Sequence, residues 1–157
     1  MNTRRNFVGT AALAAVAAVT ANAPASAKTT KSKLQFIASN SAPKAIGPYS
    51  QAVRSGNQLY ASGQIALDPA TGTLVTGDFT AQARRVFDNL KAVLAEAGAG
   101  FNNVVKATVY LTDLANFPTL NTIYGEYFGD HKPARSTVGV AALPRNALVE
   151  IDLVATV

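Results

Sequence analysis

Apolar and polar positions alternate in a few distinct rhythms along this chain, and each rhythm predicts an element. Leu34-Gln35-Phe36-Ile37-Ala38 opens with the two-residue period of a half-buried strand. Asn40 to Pro48 holds two prolines among turn-forming residues, which predicts an ordered loop. Gln51 to Ser55 and Gln58 to Ser62 flank Gly56-Asn57, the signature of a two-residue hairpin. Asp68-Pro69-Ala70-Thr71-Gly72 marks a further turn. From Phe79 the period changes. Phe79, Ala83, Val86, Phe87, Leu90, Val93, Leu94 and Ala97 recur at steps of three and four, the stripe of an amphipathic helix. Asp78 is placed to cap that helix and Gly98 to end it.

Val104 to Leu111 returns to a β-branched strand. Asn116 and Pro118 open a second helix whose apolar face is Leu120, Ile123, Tyr124 and Tyr127. Gly129 to Pro133 breaks it, and Ser136 to Val140 and Leu148 to Val157 are the last two strands. This order predicts an α/β fold of the two-layer α+β kind, a mixed six-stranded sheet with two helices on one face. No element is left for the other sheet face, although Val138, Val140, Ile151 and Leu153 divide between the two. An uncovered apolar face predicts an oligomer. No internal repeat, coiled coil or low-complexity tract follows residue 33.

The chain before that point obeys another logic. Thr3-Arg4-Arg5-Asn6-Phe7 is basic, Ala11 to Val19 is nine unbroken residues of Ala, Leu and Val, and Ala25-Ser26-Ala27 follows Pro24. These are the three parts of an export signal, cleaved after Ala27. The run is shorter than the roughly 20 apolar residues of a membrane span. Arg4-Arg5 before an aromatic resembles a twin-arginine signal, and an ordinary secretory signal containing Arg-Arg has the same outline. The expected organisation is a signal at 1–27, a flexible tail at 28–33 and one domain at 34–157. The expected location is the periplasm or the exterior, with membrane contact only during export.

Charge narrows the function. The net charge is +5, but Arg4, Arg5, Lys28, Lys31 and Lys33 carry the excess. From residue 34 onward, nine basic residues face nine acids, so the domain is formally neutral. A groove for nucleic acid needs a basic excess on the fold itself, and none is expected as a partner. The chain has no cysteine and one histidine, His131. Thiolate zinc sites, cysteine nucleophiles and a Ser-His-Asp triad are therefore disfavoured. The chemistry falls to arginine, carboxylates, hydroxyls and backbone amides.

Four short segments carry such groups. Pro133-Ala134-Arg135-Ser136-Thr137-Val138 puts an arginine at the mouth of a strand, where its planar fork suits a carboxylate; an ion pair with a nearby acid is the plain alternative. Glu150 alternates with apolar residues in Leu148-Val149-Glu150-Ile151-Asp152-Leu153, and on the outer face of an edge strand it would be unremarked surface. Pro48-Tyr49 and Ser62-Gly63-Gln64 add an aromatic at a turn and a hydroxyl beside flexible backbone.

Taken together, Pro133-Ala134-Arg135, Ala141-Ala142-Leu143 and Val149-Glu150-Ile151 resemble the signature of the Rid family, the reactive intermediate deaminases of YjgF type. Ala45-Ile46-Gly47-Pro48-Tyr49-Ser50-Gln51, Ser62-Gly63-Gln64-Ile65, Asn89 to Leu94 and Lys106 to Asp113 resemble it too, so the likeness spans 34–157. It implies a chorismate-mutase-like fold and a homotrimer with a central barrel and sites in clefts between subunits. It implies hydrolysis of enamines and imines of the 2-aminoacrylate class to 2-keto acids and ammonia, without metal or organic cofactor. By resemblance, Arg135 clamps the substrate carboxylate, and Tyr49, Ser62 and Glu150 complete the deaminating pattern. Gly63 and Thr137 contribute backbone contacts, and Asn121 matches a pocket position. Thr137 stands where many relatives have cysteine, which removes any thiol-based switching. Two competing readings remain: an endoribonuclease, and a non-catalytic trimer that binds small carboxylates or holds damaged proteins.

Overall fold

The computed structural model describes residues 33–157; the expected export signal and residues 28–32 of the expected tail lie outside the described residues. The elements are β1 (Gln35–Ile37), β2 (Ala52–Ser55), β3 (Gln58–Gln64), α1 (Phe79–Glu96), β4 (Val104–Leu111), α2 (Phe117–Phe128), β5 (Ala134–Gly139) and β6 (Val149–Thr156). The six strands form one sheet in the order β1-β2-β3-β6-β4-β5. Neighbours are antiparallel except β4 and β5, which run parallel because α2 carries the chain between them. This is the mixed six-stranded, two-helix, chorismate-mutase-like layout that the pattern and the resemblance predict.

Period-two burial sets the faces. In β6, Val149, Ile151, Leu153 and Ala155 are buried while Glu150, Asp152 and Val154 are only partly so. Ala107, Val109 and Leu111 of β4 are buried on the same side, in register with Leu153, Ile151 and Val149. Val86, Phe87, Leu90, Val93 and Leu94 of α1 cover them and are fully buried. Burying each such side chain favours the fold by about 1.5–3 kcal/mol. Helix α2 joins this core through aromatic rings: Tyr124 stacks on Phe128 at 4.2 Å and meets Phe87 edge-on at 5.8 Å. Asp78 caps α1 as expected, its carboxylate accepting from Ala81 N–H at 2.9 Å.

Three expectations need correction. Strand β6 is not an edge strand but lies between β3 and β4. Strand β5 begins at Ala134, so Arg135 lies inside it rather than before it. Asn116 and Pro118 open α2 as expected, at its N-cap and in its first turn; a 3-10 turn at Leu114–Asn116, capped by Asp113, runs directly into the helix. Phe128 rather than Tyr127 completes the buried face of α2.

The predicted loop before β2 is ordered by one amide. Gln51 is buried, donates to Pro43 O at 2.7 Å and to Ser39 O at 3.2 Å, and accepts from Ser39 N–H. Leucine at this position would leave three main-chain groups without partners, each worth about 1–3 kcal/mol when buried. Gln51→Leu should therefore lower stability by about 3 kcal/mol, read from urea unfolding with an unchanged slope.

Candidate active site

The site is shaped by an irregularity between β3 and β6. Ala61 pairs with Leu153 and Gln64 with Ile151, so Ser62 and Gly63 stand against the single residue Asp152. Such a bulge re-aims the side chains beside it. Here it brings the Gly63 backbone against Glu150. A Cβ added at Gly63 would lie 2.9 Å from Glu150 Cδ and 3.1 Å from Cγ, and would overlap Oε1. Only glycine leaves the carboxylate this seat.

Glu150 is half-buried, and its carboxylate makes no hydrogen bond among the described residues. Burial pushes its carboxyl above the ordinary range, and the Asp152 charge two residues along the same strand face adds to the rise. Asp152 in turn accepts from the Tyr110 hydroxyl at 2.9 Å. Ser62 sits beside them with its hydroxyl donating to Ser50 O at 2.7 Å, so its oxygen is left to accept. Tyr49, half in solvent, accepts from Ile46 N–H at 3.3 Å through its hydroxyl. Tyr49, Ser62, Gly63 and Glu150 line one cavity of about 290 Å³, closed by Ile46, Ile65 and Pro144.

The remaining candidates lie elsewhere. Arg135 pairs with buried Ala107, which places it on the helix side of the sheet. Its Nη2 donates to Asn121 Oδ1 at 2.8 Å. Its guanidinium carbon stands 4.7 Å from the centre of the Tyr124 ring and 5.5 Å from that of Phe117. Arg135, Asn121 and Tyr124 line a second cavity of about 480 Å³, with His131 and Lys132 at its edge. Thr137, two residues along β5 on the same face, has a buried hydroxyl without a hydrogen-bond partner.

The plain reading of Arg135 as half of an ion pair fails. Among the described residues the one ion pair joins Arg84 to Glu126 on the exposed surface of the two helices. Within one chain Arg135 and Asn121 therefore share a cavity, Tyr49, Ser62, Gly63 and Glu150 share another, and neither cavity holds both groups. The sequence reading missed the rings beneath Arg135. Tyr124 stood out only as a core position, although its spacing from Asn121 already put the two on one helix face. Among the described residues no three His, Asp or Glu side chains gather as a metal site would require.

The arrangement offers a cation with an unused charge, an anion with an unused charge, and a hydroxyl able to accept. The chain as a whole is similar to known proteins. The profile of the family described as Endoribonuclease L-PSP matches residues 39–157. A RutC family protein of Pyrococcus abyssi is 51% identical over 77% of this chain and 95% of its own. The 2-iminobutanoate/2-iminopropanoate deaminase of Mus musculus is 50% identical over 77% of this chain and 90% of its own. Among solved structures, E. coli TdcF with bound serine superposes with a TM-score of 0.75 at 40% identity, covering 78% of this chain and 98% of that one. On motif, topology and overall likeness alike, the chain belongs to the Endoribonuclease L-PSP family, the group of the Rid and RutC proteins.

Proposed function

We propose that the protein hydrolyses imines and enamines that carry a carboxylate, of the 2-aminoacrylate class, to 2-keto acids and ammonia. We further propose that it does so as a homotrimer, in which the Arg135 cavity of one subunit meets the Glu150 cavity of the next. The observation that carries the reading is the state of Arg135. It is fixed by an amide oxygen and two rings, with no acid among the described residues to neutralise it. A guanidinium so held is ready for a carboxylate from outside. Support also comes from the name of the mouse relative and from the serine, itself a carboxylate, bound to TdcF.

The chemistry follows from the electrophile. The enamine form tautomerises to an imine, whose carbon is open to attack by water. Glu150, ionised, orients that water and takes its proton as the C–O bond forms. That proton passes to nitrogen to give a carbinolamine; its hydroxyl proton then follows by way of the same carboxylate, the C–N bond breaks, and ammonia leaves as the carbonyl forms. Water and imine thus become keto acid and ammonia, with no redox step. Ser62, its own proton committed to Ser50 O, accepts from the imine N–H. Positioning supplies most of the acceleration, because the imine carbon is already reactive.

The trimer has its own support. On the sheet face away from the helices Phe36, Tyr60 and Val138 are 70%, 46% and 43% exposed. Joining copies across this face would cover them, and because Arg135 lies on the edge strand β5, its cavity would meet the Glu150 cavity of the next subunit at the margin of the join. Endoribonuclease activity, the name the family carries, suits the neutral domain poorly. A carboxylate-holding trimer without catalysis would need Arg135 but not the Glu150 seat. Export to the periplasm or beyond belongs to the same proposal and rests on Arg4-Arg5 and Ala25-Ser26-Ala27.

Light scattering at micromolar concentration should give three subunits; a monomer would contradict the assembly. Arg135→Ala should depress kcat/KM by roughly 30- to 1000-fold, the worth of a bidentate charged pair at about 2–4 kcal/mol. A well-folded Arg135→Ala protein with wild-type kcat/KM would overturn the deaminase reading.

Glu150→Gln should lower kcat and leave KM nearly unchanged. Because the folded-state pKa of Glu150 is raised, its contribution to stability is fully present below the unfolded value and is lost as pH rises through the folded one. The Gln variant should therefore melt at or above the wild-type temperature at neutral pH, with the gap closing on acidification. The acidic limb of wild-type kcat/KM should fall above the usual carboxylate range. Gly63→Ala should reproduce the kcat loss, and its crystal structure should show the Glu150 carboxylate swung aside over an unchanged sheet.

A further inference from the structure

We infer that Tyr124 and Phe117 are positioning residues for Arg135, their rings holding the guanidinium fork in place for a carboxylate while leaving its charge unspent. The inference rests on the proposed role of Arg135 as carboxylate clamp.

An arginine side chain is long and rich in rotamers, and a fork that must first be ordered binds more weakly. The usual way to fix one is an acidic partner, but that partner would compete with the substrate carboxylate for the same face of the fork. This chain fixes Arg135 with neutral groups instead. Asn121 Oδ1 takes one Nη2 hydrogen at 2.8 Å. Tyr124 and Phe117 present their rings to the guanidinium at 4.7 and 5.5 Å. A cation is attracted to such ring faces without being neutralised.

The three residues are set for this by helix geometry. Phe117, Asn121 and Tyr124 lie at steps of four and three along α2, within an arc of about 60° at 100° per residue. All three contact the one arginine that β5 turns toward the helix. Tyr124 is itself held: it is 8% exposed, stacked on Phe128 at 4.2 Å and edge-on to Phe87. Its hydroxyl has no hydrogen-bond partner, so the ring and not the phenol oxygen does the holding. Burial pushes that phenol up to about 12, which keeps it uncharged beside the guanidinium. Phe117 is 37% exposed, a ring that core packing does not explain.

The test is steady-state kinetics on the purified protein with an imine generated in situ from an amino acid. Phe117→Leu and Tyr124→Leu keep apolar volume but remove a ring face. Each should raise KM roughly 5- to 20-fold while kcat stays within about twofold. Inhibition by pyruvate, which has a carboxylate, should weaken by the same factor, and inhibition by pyruvamide, which does not, should be unchanged. Tyr124→Phe should behave as wild type, because it keeps the ring. Equal losses toward both inhibitors, or a fall in kcat with constant KM, would make the rings merely structural and overturn the inference. If Tyr124→Leu does not fold, Phe117→Leu decides alone, since its ring is at the surface. The Arg135→Ala control separates the failures. An impaired Arg135→Ala beside wild-type Leu variants overturns the positioning role only, whereas an unimpaired Arg135→Ala removes the clamp and this inference with it.

Discussion

Strand β6 imposes the constraint on which the site depends. It lies between β3 and β4, and Val149, Ile151, Leu153 and Ala155 must all face the helices to complete the core. A two-residue period then forces Glu150 and Asp152 together onto the opposite face. On a central strand Glu150 cannot swing far into solvent, so it feels the low polarity of the sheet and the charge of Asp152. The raised pKa of Glu150 is thus a consequence of where the apolar residues must go. The bulge at Ser62-Gly63 completes the arrangement, because a regular β3 with a side chain at position 63 would occupy the seat of the carboxylate.

The other half of the site follows from the parallel pair. Antiparallel neighbours need only a turn, but β4 and β5 run parallel and so require α2 as their connection. That helix lies over β5 on the side to which Arg135 points. The two charges therefore occupy opposite faces of one sheet. An acid beside Arg135 would have occupied its fork and had its own pKa lowered; with β4 between them and the sheet dividing their faces, Glu150 is not that acid. Separation within the chain leaves each without the other as a partner, and the proposed trimer is the means by which a substrate would meet the two at once.

Much of this was legible in the sequence, and the exceptions have physical reasons. The stripe from Phe79 to Ala97 gave helix α1 with its Asp78 cap, because packing one face onto a sheet leaves a clear period of 3.6. The hairpin at Gly56-Asn57 was equally plain. Strand order was not, since alternation reports which face is buried and not which strand lies alongside; hence β6 could pass for an edge strand. The start of β5 was obscured by Pro133, which punctuates the chain without ending the ladder. Of the site, Arg135, Glu150, Tyr49 and Ser62 emerged through resemblance, while composition alone left each of them ambiguous. Tyr124 was read only as core because an aromatic at helical spacing has the same pattern whether its far side meets a leucine or a guanidinium.

Both charged groups are costs to the folded chain: Glu150 is held partly away from water, and Arg135 has no counter-ion among the described residues. The fold carries each cost where it is most strongly supported. Glu150 is on the strand with ladder partners on both sides, so the backbone beneath it cannot yield. Arg135 is on the edge strand, which has a partner on one side only, and support comes instead from Tyr124, anchored by Phe128 and Phe87 in the aromatic core. A cation on an edge strand without such backing would relax toward solvent, and a carboxylate on an edge strand would do the same. The rigidity of the hydrophobic layer is therefore what allows two charges to remain unsatisfied and ready on its margins.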